Sequence, residues 1–312
     1  MKKTSLFLSI TSAVLALGIV LIIIGVVAGG SIRSLSIEPV KETHEFKNVS
    51  HELTDEDTIE NLDFSLGANN ITFQTGDQFR ITGGHLSKNE VKNGTWTVRS
   101  TFFDHFTKIS VFGFKIPVPK AFYKNNHKEE NITIELPRDM DLNKITLDLS
   151  AADVVIDSIH CQNFKLELSA GDVHIRNLET STAAFDASAG STDIDSYQIS
   201  KSATLDCSAG DITLGTKSSL SSNLCNNLKA GCSMGDIDVY GKLSGTTDLD
   251  CSMGDIDLNL YGGKDNYAIA HTSQSMGDIN YTSKGSSSDT TQFGTLKLDC
   301  SMGDIDVVYC GE

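Results

Sequence analysis

One nonapeptide returns along the second half of this chain. Leu298-Asp299-Cys300-Ser301-Met302-Gly303-Asp304-Ile305-Asp306 repeats Leu249-Asp250-Cys251-Ser252-Met253-Gly254-Asp255-Ile256-Asp257 residue for residue. Shorter copies read Cys232-Ser233-Met234-Gly235-Asp236-Ile237-Asp238 and Leu205-Asp206-Cys207-Ser208-Ala209-Gly210-Asp211-Ile212, with looser ones around positions 152, 171, 190 and 277. Measured between the glycine positions, the steps are 19, 19, 20, 25, 19, 23 and 26 residues. A fixed period with occasional insertions is the mark of stacked repeats, each too small to bury its own inner face.

Within a unit the alternation is that of a half-buried strand: Leu205, Cys207 and Ala209 fall on one side and Asp206 and Ser208 on the other. A second alternating run follows the glycine, with Ile212 and Leu214 inward. Two short strands per unit are too few for a propeller blade and leave no room for a crossover helix. The expected fold class is therefore all-β, a parallel β-solenoid of about 19–20-residue coils. Like residues then form columns. One inner column reads Leu149, Leu168, Ala187, Cys207, Cys232, Cys251, Gln274, Cys300, and the next Ala151, Ala170, Ala189, Ala209, Met234, Met253, Met276, Met302. A cysteine and methionine stripe is a soft-ligand set suited to copper(I). The preferred expectation is core packing, because thiols are small hydrophobes, methionine fills gaps, and earlier coils use Leu and Ala in the same slots.

The outer columns are acidic. Asp148, Glu167, Asp186, Asp206, Asp250 and Asp299 share one position; Asp153, Asp172, Asp211, Asp236, Asp255, Asp278 and Asp304 follow the glycine; Asp157, Asp238, Asp257 and Asp306 form a third set. Like charges one coil apart repel by roughly 0.9 kcal/mol even at the dielectric of water, so something must offset them. Turn chemistry at the Asp after glycine is the preferred reading. Bridging calcium is the rival, with Asp236, Asp238, Asp255, Asp257, Asp278, Asp304 and Asp306 as candidate ligands. Otherwise no metal or cofactor is expected.

At the start of the chain, Lys2 and Lys3 precede an uncharged apolar run over 6–29, long enough to span a bilayer as a signal-anchor with its N-terminus in the cytoplasm. The expected organisation is a cytoplasmic tip and transmembrane helix (1–33), a linker (34–60), a first coil with an aromatic N-terminal cap region (61–140), and regular repeats (141–312). The stretch 96–123 holds eight of the chain's 22 aromatics. It is expected to cap the apolar end of the stack, with Phe112 and Phe114 as a possible partner-contact patch.

The strand ending Leu136-Pro137, the run Ile145-Thr146-Leu147-Asp148-Leu149-Ser150 and the repeated Ser-Ala-Gly-Asp-Val or Ser-Met-Gly-Asp-Ile units resemble the bacterial "putative adhesin" β-strand-repeat family. The resemblance covers roughly 60–312. It implies an extracytoplasmic repeat domain on a membrane span, with similarity to members associated with envelope stress, and it implies no chemistry.

Residues 141–312 hold 25 acidic and 10 basic residues, net −15 of the chain's −16, which disfavours nucleic acid and anionic lipid as partners. No metalloprotease, Walker or dinucleotide motif occurs. The expectation is a non-enzymatic, adhesin-like binding or scaffolding protein of the cell membrane, with an envelope protein or polymer as partner. Because the last repeat runs close to the final residue, its open strand edge is expected to allow self-association. The rivals are a polysaccharide-active β-helix enzyme, suggested by paired aspartates such as Asp236 and Asp238, and a calcium-dependent envelope sensor or structural element.

Overall fold

The computed structural model describes residues 59–311, apart from 68–69, 84–85, 101–105, 112–113, 120–130, 139 and 286. The apolar run at 6–29 and most of the linker lie outside the described residues. Among the described residues no helix is long and apolar enough to cross a membrane. The chain divides into two compact units, Met1–Glu45 with Phe103–Asn126, and Phe46–Phe102 with His127–Glu312. In the first, Phe106–Val111 and Phe114–Pro119 form an antiparallel hairpin. Phe114 opens its second strand; Phe112 is not among the described residues.

The larger unit is all-β apart from one 3-10 turn, Lys264–Asn266, among its described residues. Its coils pair in parallel and in register. Val173–Ala187 lies against Thr192–Cys207 on three successive faces: Val173 opposite Thr192, Leu178 opposite Tyr197, and Ala183 opposite Ala203. Each coil thus has three short strands where the sequence reading expects two. The extra corner is hidden because Arg176-Asn177 and Ser181-Thr182 turn the chain without glycine or proline. What marks each corner is a break in alternation, where two adjacent residues both face outward. Long strands such as Val173–Ala187 and Ile237–Met253 run through more than one face, so the pairings join into one closed set around a layered apolar core.

Order in space departs from order in sequence at both ends. On one face the layers run Thr95–Ser100, Asn61–Leu66, Leu142–Leu149, Ile159–Leu168, then 183–187, 203–207, Leu228–Cys232, 246–253, Gly294–Met302 and Tyr267–Met276. Coil 61–76 sits between Thr95–Ser100 with Ile132–Pro137 on one side and 142–156 on the other, and coil 294–309 sits between 245–260 and 267–283. The last repeat is therefore not the open end of the stack, as the sequence suggested. Its nonapeptide matches that of coil 245–260 side by side, Cys251 on Cys300 and Met253 on Met302. The less regular coil 267–283 is laid outside.

The long 23- and 26-residue steps supply the crossings. Buried Asn266 fastens them: its Oδ1 accepts from the Gly263 amide at 2.7 Å, and its Nδ2 donates to the carbonyls of Asp289 (2.6 Å) and Thr291 (2.8 Å). At the opposite end Leu86–Lys92 and Arg80–Thr82 pair antiparallel on the outermost layer. Trp96 packs edge-on against Phe64 (5.0 Å) and Phe79 (5.9 Å) there, and its Nε1 donates to Asn89 Oδ1 at 2.7 Å.

Candidate functional site

The chemistry-bearing groups of the larger unit lie along the turn that every coil makes at its glycine. Gly254 has φ +135°, and a Cβ there would stand 2.2 Å from the Gly235 carbonyl oxygen of the neighbouring layer. Left-handed backbone and close stacking both demand glycine. Each turn is tied to the next by its aspartate. Asp211 Oδ1 accepts from the Asp236 amide (2.9 Å), Asp236 from Asp255 (2.7 Å), Asp255 from Asp304 (2.7 Å) and Asp304 from Asp278 (2.7 Å). The carboxylates of Asp211, Asp236, Asp255 and Asp304 are thus each held by a backbone N–H of the next coil, a charge-assisted bond. At the altered turn the ladder still takes in the Ser191 amide, which donates to Asp172 Oδ1 at 2.8 Å.

The calcium candidates fall into two neighbouring outward columns. Asp236, Asp255, Asp304 and Asp278 form the ladder just described; Asp238, Asp257 and Asp306 stack beside it, ending at Asn280. Asp157 is not in this second column. It pairs instead with Arg176 one coil on, and Asp193 is in register with the column. Among the described residues no group of three His, Cys, Asp or Glu side chains is placed to hold a metal ion.

Partial burial pushes the Asp238 carboxyl up to about 6, helped by Asp257, Asp236, Asp211 and Asp193, and Asp257 is raised for the same reasons. Because the folded value lies above the ordinary one near 4, the contribution of Asp238 to stability is full below pH 4 and is lost as pH rises through 6. Asp238→Asn is therefore expected to gain on the wild type between pH 5 and pH 7, by about 1 kcal/mol after solvent screening. Thermal melts of both chains at the two pH values check this, and parallel pH profiles would count against it.

The first acidic column runs Asp148, Glu167, Asp186, Asp206, Gly231, Asp250, Asp299, Ser273. Gly231 leaves a missing rung, and a notch of about 450 Å³ opens there between Asp206, Lys229, Asp248 and Asp250.

The two sulfur columns have different fates. Cys207, Cys232, Cys251 and Cys300 are buried, as expected, and all seven cysteines are free. The thiols of Cys232, Cys251 and Cys300 point at the turn carbonyls of Gly210, Gly235 and Gly254 at 3.2–3.3 Å. Gln274, which takes the cysteine slot in the outermost coil, reaches the Gly303 carbonyl at 2.7 Å, the same turn-carbonyl contact that these thiols make. The methionines are not core. Met234, Met253, Met302 and Met276 are 50, 41, 40 and 61% exposed. Inward alternation fails at this position because the chain is already bending into the glycine turn, so Ser252 and Met253 both face out.

The outermost coil completes the inventory. Among the described residues Tyr267–Met276 and Ile279–Ser283 pair on one side only, with Gly294–Met302 and Ile305–Tyr309. Ile269, Met276, Ile279 and Tyr281 are exposed on it. Ser273 and Asn280 stand where the layers beneath carry Asp299 and Asp306.

A family model described as Toastrack DUF4097 matches residues 59–308. The chain belongs to the Toastrack DUF4097 family. The match reaches both out-of-order ends of the layered unit of this Toastrack chain. No curated protein matches it. Among solved structures it is similar to a putative cell adhesion protein from Clostridium sporogenes ATCC 15579, with 10% identity over 85% of this chain and 99% of that one, at a TM-score of 0.30. It is also similar to a putative adhesin from Bacteroides fragilis NCTC 9343, with 14% identity, coverage of 83% and 97%, and a TM-score of 0.34.

Proposed function

We propose that this Toastrack chain is a non-enzymatic binding and scaffolding module of the cell envelope. In this reading a parallel β-solenoid is carried outside the membrane by the apolar run at 6–29, and it joins a second copy of itself through the outermost coil, 267–283. The observation that carries the reading is that coil. It combines a strand edge that has no partner strand among the described residues, a template for adding another strand, with exposed Ile269, Ile279 and Tyr281. Two of the three acidic columns become neutral there, at Ser273 and Asn280. With net −15 over 141–312, copies of the chain repel one another less where these carboxylates drop out. The edge strands contain neither lysine nor proline, the residues that ordinarily guard an exposed edge. The paired aspartates that could suggest glycan cleavage recur in register as Asp236/Asp238, Asp255/Asp257 and Asp304/Asp306. Such recurrence suits a structural column better than one catalytic centre.

The test uses the full chain in lipid nanodiscs at one copy per disc, sized by light scattering. Discs are expected to pair, and Ile279→Lys with Tyr281→Lys, both at exposed positions, is expected to weaken pairing at least tenfold. Unpaired wild-type discs, or pairing that the double variant leaves unchanged, would refute the contact.

A further inference from the structure

The chain contains six methionines, and four of them form a single surface row. In space the row runs Met234, Met253, Met302, Met276, since Met253 is in register with Met302 and Met302 with Met276. The backbone ties along it confirm the order: the amides of Gly235, Gly254 and Gly303 donate to the carbonyls of Met253, Met302 and Met276 at 2.9 Å each.

Folding does not require these side chains. Ala170 and Ala189 hold the same turn position in other coils, where the Gly171 and Gly190 amides donate to the carbonyls of Ala189 and Ala209 in the same way. A turn that closes equally well on alanine leaves the thioethers unexplained by packing, and their exposure removes the gap-filling role that methionine has in a core.

We propose that this row is a binding site for a soft monovalent cation of the copper(I) or silver(I) class. Thioether sulfur selects soft cations and ignores calcium and magnesium. Neighbouring layers lie about 4.8 Å apart. Two metal–sulfur bonds of the zinc–thiolate length, about 2.3 Å, span nearly that distance end to end. A cation can therefore sit between the thioethers of adjacent coils with no shift of the backbone, and the three torsions of each methionine let a third sulfur swing in.

Carboxylate columns run along both sides, Asp250 and Asp299 before the methionines and Asp255 and Asp304 after them, so the row lies in a negative field that concentrates cations. The buried thiols beneath are already committed to the glycine carbonyls. Cys251 is fully buried, which leaves the exposed thioethers as the sulfur open to solvent.

The experiment is silver(I), a redox-silent probe, titrated into the full chain in detergent with carbon-13 methyl-labelled methionine. The methyl signals of Met253 and Met302 are expected to move, those of Met1 and Met140 to stay, and calcium to move none. Met253→Leu with Met302→Leu is expected to weaken binding at least thirtyfold and leave the melting temperature unchanged, because both side chains are exposed. Cys251→Ser is expected to retain the methyl shifts. Static methyl signals, shifts at Met234 and Met276 that survive undiminished in the double leucine variant, or loss of binding only in the cysteine variant would overturn the proposal. The site depends on exposed thioethers and not on the pairing of copies, so either reading can fail without the other.

Discussion

Gly254→Ala is expected to lower stability by about 4 kcal/mol and the melting temperature by about 10 °C. Two penalties fall on the one methyl group. The backbone is at φ +135°, where an L residue is strained, and the new Cβ would lie 2.2 Å from the Gly235 carbonyl oxygen and 2.7 Å from Asp236 Oδ1. Neither neighbour can withdraw cheaply. Gly254 sits inside the run of ties, its amide donating to the Met302 carbonyl at 2.9 Å, while Asp236 Oδ1 holds the Asp255 amide at 2.7 Å. Gly231→Ala is the control. Its Cβ would meet only the flexible carboxylate of Asp206, at 3.2 Å, and the expected change is within about 0.5 kcal/mol. Urea unfolding of the two variants beside the wild type checks the contrast, and equal losses would show that the turn stack is not what holds the coils together.

Deleting residues 294–312 is expected to leave a chain that does not fold. Leu296, Leu298, Ile305, Val307 and Tyr309 are all fully buried. At about 1.5–3 kcal/mol for each buried side chain, their loss rivals the 5–15 kcal/mol that separates a folded domain from its unfolded ensemble. The deletion also strips coil 267–283 of its strand partners, because Tyr267–Met276 and Ile279–Ser283 pair only with Gly294–Met302 and Ile305–Tyr309 among the described residues. Had these residues formed the outermost layer, trimming them would expose one fresh surface and shorten the stack by one coil. Circular dichroism and hydrogen exchange separate the outcomes: a shortened chain that keeps its sheet content and its protected amides would refute the inserted position.

That inserted position shows where the sequence stops speaking. The columns were legible because in-register stacking puts the same residue in the same slot. Leu149, Leu168, Ala187, Cys207, Cys232 and Cys251 are stacked as their spacing implies. The order of the last two coils was not legible, since both carry Ser-Met-Gly-Asp-Ile and both fit the same register. A signal was present in the substitutions. Gln274, Ser273 and Asn280 depart from the repeat in the coil that ends up outside, where no further layer enforces it. Strict alternation would put the methionine row inside, but the alternation ends one residue earlier and the methionines face out as the chain enters the turn. The aspartates after the glycine serve the turn through the amide of the next coil rather than through their own backbone. Gly231 and its notch leave no mark on the period, because a missing side chain keeps the register.

The exchange of layers also constrains the order of assembly. A coil stack can grow by adding each new repeat onto the last, so contacts form almost as soon as the chain is made. Here that zipper stalls. Residues 267–283 are synthesised before 294–309, yet the layer on which they rest is made of 294–309. They must wait as an unfinished segment until the later residues have been threaded beneath them. The contacts of the inserted coil with 245–260 therefore span 49 residues, as between Cys251 and Cys300, against 19 between Cys232 and Cys251, and closure of this end is set to be a slow step of folding.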